Sequence, residues 1–316
     1  MANSVPDSSR FSSLPPAVVF ANLAAGGGRA RSLIPPIRRV FEAASVPVEF
    51  IPSGSARELE TAAVSAIRSG NRLLIALGGD GTFQALVNAA FGAEVLLGVL
   101  PAGGGNDFAA GLQLPKNPVA AAWAILRGQP RPVDLVRVRT ADGRVRFYLS
   151  GGGVGIDAEA SRHASGAFRR LLGRSRYIVS ALRALCTHQP VRVRAEFPGS
   201  DLPPIEAKAL LAAVLNTPTY GAGMQLAPEA RLDDGWLDAV IMDDLNKIRV
   251  LALLPRLLRS GELRTPHLKR FRVQSVRLTT DPPRMFHGDA ELLGFTPVDI
   301  EIVPHPVQVL APARNL

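Results

Sequence analysis

Short apolar segments alternate with helical segments up to about residue 130, and this alternation limits the fold more than any other feature of the sequence. Residues 73–77 form a continuously apolar run, which is typical of a strand buried on both faces of a parallel sheet. Repeats of strand and helix with short connections predict parallel βαβ units. The predicted strands are residues 17–25, 46–51, 73–77 and 95–100, and the predicted helices are residues 29–44, 55–69, 82–91, 106–111 and 118–127.

The pattern changes after Asp134, where polar and apolar residues begin to alternate. Asp142 and Gly143 separate two alternating runs, and an Asp-Gly pair in that position is a strong hairpin signal. The second half is therefore predicted to be mainly antiparallel β, with a domain boundary near residue 134. Its predicted strands are residues 134–140, 144–150, 190–197, 208–215, 236–242, 271–280 and 298–303, and its predicted helices lie near residues 167–186 and 247–258.

Charge and composition limit the partners and the compartment. The formal net charge of +9 and the pI of about 10.6 favour anionic partners, but only 6% of residues are aromatic and no basic tract is interleaved with aromatics, so nucleic acid is not expected. Cys186 is the only cysteine, which excludes an intrachain disulfide and fits the cytoplasm. Residues 1–16 lack the apolar segment of a signal peptide and are expected to be disordered. No apolar run approaches the ~20 residues of a membrane-spanning helix.

Three glycine-rich loops follow predicted strands, at residues 26–28, 78–82 and 101–107. Ligands of open parallel sheets bind beyond the carboxyl ends of the strands, where glycine lets backbone amides approach a phosphate closely. Asp80 and Asp107 lie in two of these loops and would repel a phosphate unless a divalent cation lay between them. Mg²⁺ commonly bridges a carboxylate and substrate phosphates. Together the loops predict a metal-assisted nucleotide site.

Each of these features also has a purely structural alternative. The G-G-D-G-T segment could be a turn in which Asp80 caps the next helix, although a second such loop favours a site. The chain has no G-x-x-x-x-G-K-[ST] motif, and G-V-G-I-D-A at residues 153–158 lies beyond the hairpin rather than in a βαβ unit. Asp289 and Glu291 are two residues apart and would face one side of a strand, a pattern that in isolation indicates a solvated surface.

Six sequence blocks occur in an order that is specific when they are taken together. The blocks are N-L-A-A-G at residues 22–26, G-G-D-G-T at 78–82, L-P-A-G-G-G-N-D-F-A at 100–109, N-T-P-T-Y-G-A-G at 216–223, P-E-A with a following D-G at 228–235, and D-A-E at 289–291. In this order they resemble the diacylglycerol kinase catalytic domain family, which includes bacterial lipid kinases, diacylglycerol kinases and sphingosine kinases. The resemblance extends from about residue 18 to residue 312.

The resemblance implies two domains with an active site in the cleft between them. Residues 17–134 would form an α/β nucleotide-binding domain with a parallel sheet, to which residues 297–316 return. Residues 135–296 would form a mainly antiparallel, β-sandwich-like lipid-substrate domain. The implied activity is ATP- and Mg²⁺-dependent transfer of the γ-phosphoryl group to the hydroxyl of a diacylglycerol-like or sphingoid lipid.

Site residues follow from the same resemblance. Asp80, Asp107, Asp289 and Glu291 would form the catalytic carboxylate network. Asp80 would be the proton acceptor or an indirect Mg²⁺ ligand, and Glu291 is the rival candidate for the proton acceptor. A second, structural Mg²⁺ would be held by the Asp234 side chain and by the carbonyls of Arg231 and Trp236. The nucleotide would be lined by Asn22, Ser53, Gly78, Gly79, Gly81, Thr82, Gly103, Gly104 and Asn106.

Two departures from the family pattern leave alternatives open. Gly104 stands where the family usually has threonine, and Ala290 replaces the glycine of D-G-E. The alternatives are a non-catalytic lipid- or nucleotide-binding relative and a soluble-metabolite kinase such as an NAD kinase. Basic segments at residues 167–186 and 247–272 suggest transient docking of a cytoplasmic protein on anionic lipid, where it would meet its lipid substrate, or else helices with a solvated face. A homodimer is left open.

Overall fold

The computed structural model describes residues 14–156, 190–221, 223–246, 249–250, 252, 265–289 and 291–313. The chain divides into two compact units. The first unit contains residues 14–102, 112–132 and 307–313, and the second contains residues 103–111 and the described part of 133–306. The predicted helix near residues 167–186 lies outside the described residues, as does most of the one predicted at 247–258.

The first unit is built from βαβ units, as the alternation of apolar and helical segments predicts. The elements up to residue 126 are β1 (Ala17–Asn22), α1 (Ala30–Ala43), β2 (Val48–Ser53), α2 (Ala56–Arg68), β3 (Leu73–Gly78), α3 (Asp80–Ala90), β4 (Leu96–Pro101), α4 (Asp107–Gly111) and α5 (Pro118–Leu126). Of these, only α4 groups with the second unit. Helix α2 begins where the Ser55 hydroxyl accepts a hydrogen bond from the Glu58 amide, and the Glu58 carboxylate accepts one from the Gly54 amide.

The sheet of the first unit has the parallel strand order β2-β1-β3-β4. Strand β3 lies between β1 and β4 and is buried along its whole length, which explains its continuously apolar sequence. On the outer edge of β4, residues Gln308 and Val309 add a further parallel strand segment.

The second unit is mainly antiparallel. Its strands are β5 (Gln129–Thr140, which begins in the first unit), β6 (Val145–Tyr148), β7 (Gly151–Gly155), β8 (Val191–Glu196), β9 (Ile205–Leu215), β10 (Leu237–Asp243), β11 (Leu268–Val273), β12 (Ser275–Asp281), β13 (Met285–Gly288), β14 (Glu291–Phe295) and β15 (Val298–Ala311, which ends in the first unit). Strands β14-β13-β7-β9-β8-β12-β15 follow one another in the sheet, and β10 pairs with β9 and β11. Strands β5 and β6 form the hairpin predicted from Asp142-Gly143.

Two details of the second unit differ from the sequence-based expectation. Residues 271–280 were expected to form one strand, but the chain changes partners at Gln274, so β11 pairs with β10 while β12 pairs with β8 and β15. Strand β7 was not predicted, because its sequence is G-G-G-V-G. Its glycines are needed for close packing, since a Cβ atom on Gly152 would lie 2.6 Å from the carbonyl oxygen of His287.

The limits of the two units also differ in detail from the expected domains. The chain enters the second unit at Val133, but residues 103–111, expected in the nucleotide-binding domain, group with the second unit. The C-terminal return to the first unit begins at Val307 rather than Pro297. Among the described residues, no helix combines the length and the apolar character needed to span a bilayer.

Candidate active site

The turn between β3 and α3 places Asp80 at the start of a helix. Gly79 caps α3, and its carbonyl oxygen accepts hydrogen bonds from the amides of Thr82 (3.0 Å) and Phe83 (3.1 Å). Any side chain on Gly78 would collide with Thr82, because an added Cβ atom would lie 2.3 Å from its Oγ1 atom. Asp80 is half-buried in the first turn, where the helix dipole stabilises a negative charge. Glycine at position 78 is therefore a steric requirement of this turn.

The end of β1 is joined to the same turn. The Asn22 side-chain amide donates a hydrogen bond to the Thr82 hydroxyl (3.1 Å), and the Asn22 side-chain oxygen accepts one from the Ala24 amide (3.0 Å). Ser53, at the end of β2, is buried, and its carbonyl oxygen accepts a hydrogen bond from the Leu23 amide (3.3 Å). Within the first unit, the structure thus brings Asn22 and Thr82 into direct contact, with Ser53 on the neighbouring strand.

The loop after β1 requires glycine at Gly26. This residue has a φ angle of 59°, and an added Cβ atom would lie 2.5 Å from the carbonyl oxygen of Ala102. Gly27 follows with a φ of 72°. The loop can therefore approach the end of β4 only because it lacks side chains.

Gly26→Ala is expected to destabilise the first unit more than Gly70→Ala does. Both positions have a positive φ, which costs alanine about 1–2 kcal/mol. No atom lies within 4 Å of a Cβ atom built on Gly70, so only Gly26→Ala adds a collision, which costs typically about 1–3 kcal/mol further. Thermal unfolding of the two variants measures the difference, and equal losses would contradict the contact with Ala102.

The loop after β4 ends at a buried aspartate. Gly103 and Asn106 exchange two hydrogen bonds, from the Gly103 amide to the Asn106 side-chain oxygen (3.0 Å) and from the Asn106 side-chain amide to the Gly103 carbonyl (3.1 Å). Asn106 has a φ of 59°, and Asp107 begins α4 directly after it. The Oδ1 atom of Asp107 accepts hydrogen bonds from the Thr219 hydroxyl (2.7 Å) and the Gly223 amide (3.0 Å). Asp107 is thus positioned by the N-T-P-T-Y-G-A-G block.

Asp289 and Glu291 do not lie on one strand, contrary to the expectation from their spacing. Gly288 at the end of β13 pairs with Glu291 at the start of β14, so Asp289 lies in the hairpin turn, with a φ of 47°. Ala290 lies outside the described residues. The Glu291 carboxylate lies 3.8 Å from the Arg146 guanidinium. The two acidic side chains therefore have different surroundings.

The Asp289 carboxylate is buried and bound by three backbone amides. Its oxygens accept hydrogen bonds from Leu149 (2.6 Å), Ser150 (2.9 Å) and Gly151 (3.3 Å). Burial raises the pKa of Asp289 to about 6, although the three amides act in the opposite direction. Both oxygens already have donors, so the geometry favours a role for Asp289 in holding residues 149–151 over direct binding of a metal.

The residues expected to hold a second Mg²⁺ do not fit that ion as they stand. The Oδ1 atom of Asp234 accepts a hydrogen bond from the Trp236 amide (3.1 Å), and its Oδ2 atom lies 2.7 Å from the Arg272 guanidinium. Arg272 also lies over the Trp236 ring, with 5.6 Å from its guanidinium carbon to the ring centroid. A cation bound by Asp234 and the carbonyls of Arg231 and Trp236 would have to displace a guanidinium that already neutralises the carboxylate.

The donor chemistry fits a catalytic Mg²⁺ that arrives with a nucleotide. Within the described part of the chain, no three His, Cys, Asp or Glu side chains cluster as metal ligands would. Mg²⁺ in kinase sites is commonly held by one or two carboxylates together with substrate phosphates and water. Asp80 and Asp107 carry suitable oxygen donors, whereas the oxygens of Asp289 are occupied by amides.

Sequence reasoning missed the residues that position the carboxylates. Thr219 and Gly223 contact Asp107 from 112 and 116 residues away along the chain, a separation that carries no local signal. The backbone amides of residues 149–151 bind Asp289, and no particular residue type at these positions indicates that role. The sequence signal that points to Thr219 is the N-T-P-T-Y-G-A-G block, because it resembles a block of the family. That resemblance alone gives no role to any residue in the block.

Two family models match the chain. The diacylglycerol kinase catalytic domain matches residues 16–138. The YegS C-terminal NAD kinase beta sandwich-like domain matches residues 152–311, about half of the chain. The first match covers the glycine-rich loops and Asp107, and the second covers Thr219, Asp234 and Asp289.

Named relatives and a solved structure agree with these matches. The chain is 29% identical over 271 residues to a diacylglycerol kinase of Mycobacterium tuberculosis (strain ATCC 25618 / H37Rv), covering 85% of this chain and 86% of that protein. It is 28% identical over 268 residues to a "probable lipid kinase YegS-like" of Stenotrophomonas maltophilia, covering 81% and 84%. A crystal structure of a diacylglycerol kinase from Bacillus anthracis has the same fold, with a TM-score of 0.69 at 19% identity over 95% of this chain and 97% of that one. The chain therefore belongs to the diacylglycerol kinase catalytic domain family, with a second domain of the YegS C-terminal type.

Proposed function

We propose that this kinase transfers the γ-phosphoryl group of ATP to the hydroxyl of a lipid, in a reaction that depends on Mg²⁺. The observation that carries the proposal is the β3–α3 turn, in which Gly78 and Gly79 leave Asp80 at the N-terminus of α3. Such a turn offers backbone amides and positive helix potential to phosphates, and a carboxylate to the attacking hydroxyl.

The chain's own contribution to the transfer is mainly positioning. Phosphoryl transfer passes through a loose transition state, so placing the reactants and stabilising negative charge supply most of the catalysis. The loops at Gly26–Gly27 and Gly78–Gly79 bring backbone close to where phosphates would bind, and the Asn22–Thr82 hydrogen bond fixes their relative positions. When bound, Mg²⁺ would neutralise charge on the phosphate oxygens.

Asp80 is the better candidate for the proton acceptor. Glu291 forms an ion pair with Arg146, which would have to open before the carboxylate could accept a proton from a lipid hydroxyl. Both oxygens of Asp289 are held by backbone amides, which suits an orienting role, whereas Asp107 is held at Oδ1 and would help to hold the Mg²⁺. A carboxylate base of this kind contributes about 10²–10⁴-fold to a rate.

The acceptor class is supported by the relatives, which are named diacylglycerol kinases and a lipid kinase. Docking on an anionic membrane through the basic segment 247–272 stays a prediction. Within that segment Arg270 donates a hydrogen bond to the Leu226 carbonyl (2.7 Å) and Arg272 pairs with Asp234, so these two residues act within the fold.

A soluble-metabolite kinase is a second candidate, because the matched C-terminal domain is described as NAD kinase beta sandwich-like. The deciding experiment incubates the protein with labelled ATP, Mg²⁺ and separate acceptors: diacylglycerol, sphingosine, phosphatidylglycerol and NAD. Labelled lipid that disappears in EDTA is the expected result. Labelled NAD with no labelled lipid would support the second candidate, and no labelled product would support a non-catalytic relative.

A further inference from the structure

The described residues between Asn216 and Met224 are held by several backbone and side-chain hydrogen bonds. Tyr220 and Met224 exchange both backbone hydrogen bonds, at 2.8 and 3.0 Å, which closes the loop between them. Gly223 has a φ of 97° and donates its amide to Asp107. Thr217 donates its hydroxyl to the Thr219 carbonyl (2.8 Å), which fixes the backbone beside the Thr219 side chain.

Two donors converge on a single oxygen of Asp107. The Thr219 hydroxyl and the Gly223 amide both donate to Oδ1, so the rotation of the carboxylate is fixed from outside α4. Asp107 is only 6% exposed, and hydrogen bonds to a buried charged group are stronger than those between neutral groups. Loss of either donor would leave this carboxylate less well oriented.

The loop is in turn anchored by a buried pair of side chains, Tyr220 and His287. The Tyr220 hydroxyl lies 2.9 Å from Nε2 of His287, and Nδ1 of His287 lies 3.0 Å from the Gly153 carbonyl oxygen. A carbonyl oxygen can only accept, so Nδ1 of His287 carries a hydrogen and donates it to Gly153. The Tyr220 ring also packs on Gly151, where an added Cβ atom would lie 2.7 Å from the ring.

Asp107 and Asp289 are therefore both connected to strand β7 by hydrogen bonds, Asp289 directly and Asp107 through Tyr220 and His287. Gly151 donates its amide to Asp289 and leaves room for the Tyr220 ring, while Gly153 accepts from His287. Tyr220 pairs with Met224 and so closes the loop in which Gly223 binds Asp107. A glycine-rich strand suits this purpose because side chains and backbone can approach it closely from both neighbours.

We propose that Thr219 is a positioning residue that orients Asp107 for phosphoryl transfer, and that the Tyr220–His287 pair fixes the loop that carries Thr219. The proposal rests on the proposed function in so far as Asp107 takes part in the transfer. Thr219 acts through Asp107 and touches no reacting atom, so its loss should lower turnover more than it weakens nucleotide binding.

The kinetic test compares Thr219→Val with Thr219→Ser in the full-length protein. Loss of a residue that orients a ligating carboxylate costs typically about 10–100-fold, so Thr219→Val should lower kcat by about tenfold while KM for ATP changes little. Thr219→Ser restores the hydroxyl and should recover most of kcat.

The matched control is Thr280→Val, which removes another buried hydroxyl of the second unit. The Thr280 hydroxyl contacts Pro282 and Thr296, so its loss should leave kcat unchanged. Wild-type kcat in Thr219→Val would overturn the proposal.

A second measurement separates this proposal from the proposed function. Hydrogen exchange of peptides that cover residues 217–224 measures how firmly the loop is held, and the measurement does not depend on enzymatic activity. Exchange should rise about tenfold in Asp107→Asn, Thr219→Val and Tyr220→Phe, and not in Thr280→Val. If the wild-type protein phosphorylates no acceptor but shows this exchange pattern, the proposed function fails and the positioning contact stands. If exchange in Thr219→Val equals that of the wild type, the positioning role is overturned whatever the activity.

Discussion

Asp80→Asn is expected to lower kcat for lipid phosphorylation by about 10²–10⁴-fold, because asparagine cannot accept the proton of the attacking hydroxyl. The substitution keeps the size of the side chain at the start of α3, so the turn formed by Gly78, Gly79 and Thr82 should persist. ATP binding, measured by calorimetry, should change far less than turnover. Initial rates with saturating ATP and lipid measure the effect.

Two further variants make this result interpretable. Asp299→Asn removes an exposed carboxylate on β15 that pairs with Arg277 (3.6 Å), and it should leave turnover unchanged. Glu291→Gln tests the rival base. If Asp80→Asn keeps near-wild-type turnover while Glu291→Gln loses it, the proton acceptor is Glu291 and the assignment to Asp80 is wrong.

The second unit is expected to lose stability as the pH rises from about 4 to about 6, because of Asp289. Burial raises the pKa of Asp289 from 3.8 to about 6 in the folded state. In this range the folded protein holds a proton that the unfolded chain has released, so a rise in pH favours unfolding. A shift of this size corresponds to about 3 kcal/mol in the free energy of unfolding.

Asp289→Asn isolates this contribution, because the side chain keeps its shape but no longer titrates. Urea titrations at several pH values give the free energy of unfolding of both proteins. Between pH 4 and pH 7, the wild type should lose about 3 kcal/mol of this free energy relative to the variant. Asp238, whose pKa burial also raises to about 6, is present in both proteins and cancels. A difference that moves in the opposite direction would show that the amides of residues 149–151 outweigh burial.

The first unit was predictable because its signals are local. Buried parallel strands such as β3 require continuous apolar runs. The start of helix α2 is marked by the capping residues Ser55 and Glu58. The predicted bounds of these elements are close to those observed. The expected second-half hairpin was found for the same reason, since a turn signal lies between two alternating runs.

The features that sequence could not show depend on distant parts of the chain. Strand β7 is nearly all glycine and has neither periodicity nor β propensity of its own, so its neighbours impose its conformation. The turn at Asp289 adopts a positive φ without glycine at that position, held by the amides of residues 149–151. The grouping of residues 103–111 with the second unit follows from contacts such as Asp107–Thr219, which no local pattern encodes.

The β4 edge has a consequence for how the protein is made and handled. Gln308 and Val309 complete the parallel sheet at β4, and the chain passes between the two units four times. During synthesis, the first unit cannot complete its sheet until residues near 309 have left the ribosome, which is after the residues of the second unit have been made. A fragment cut after residue 138, where the first family match ends, would expose a bare strand edge and invite aggregation.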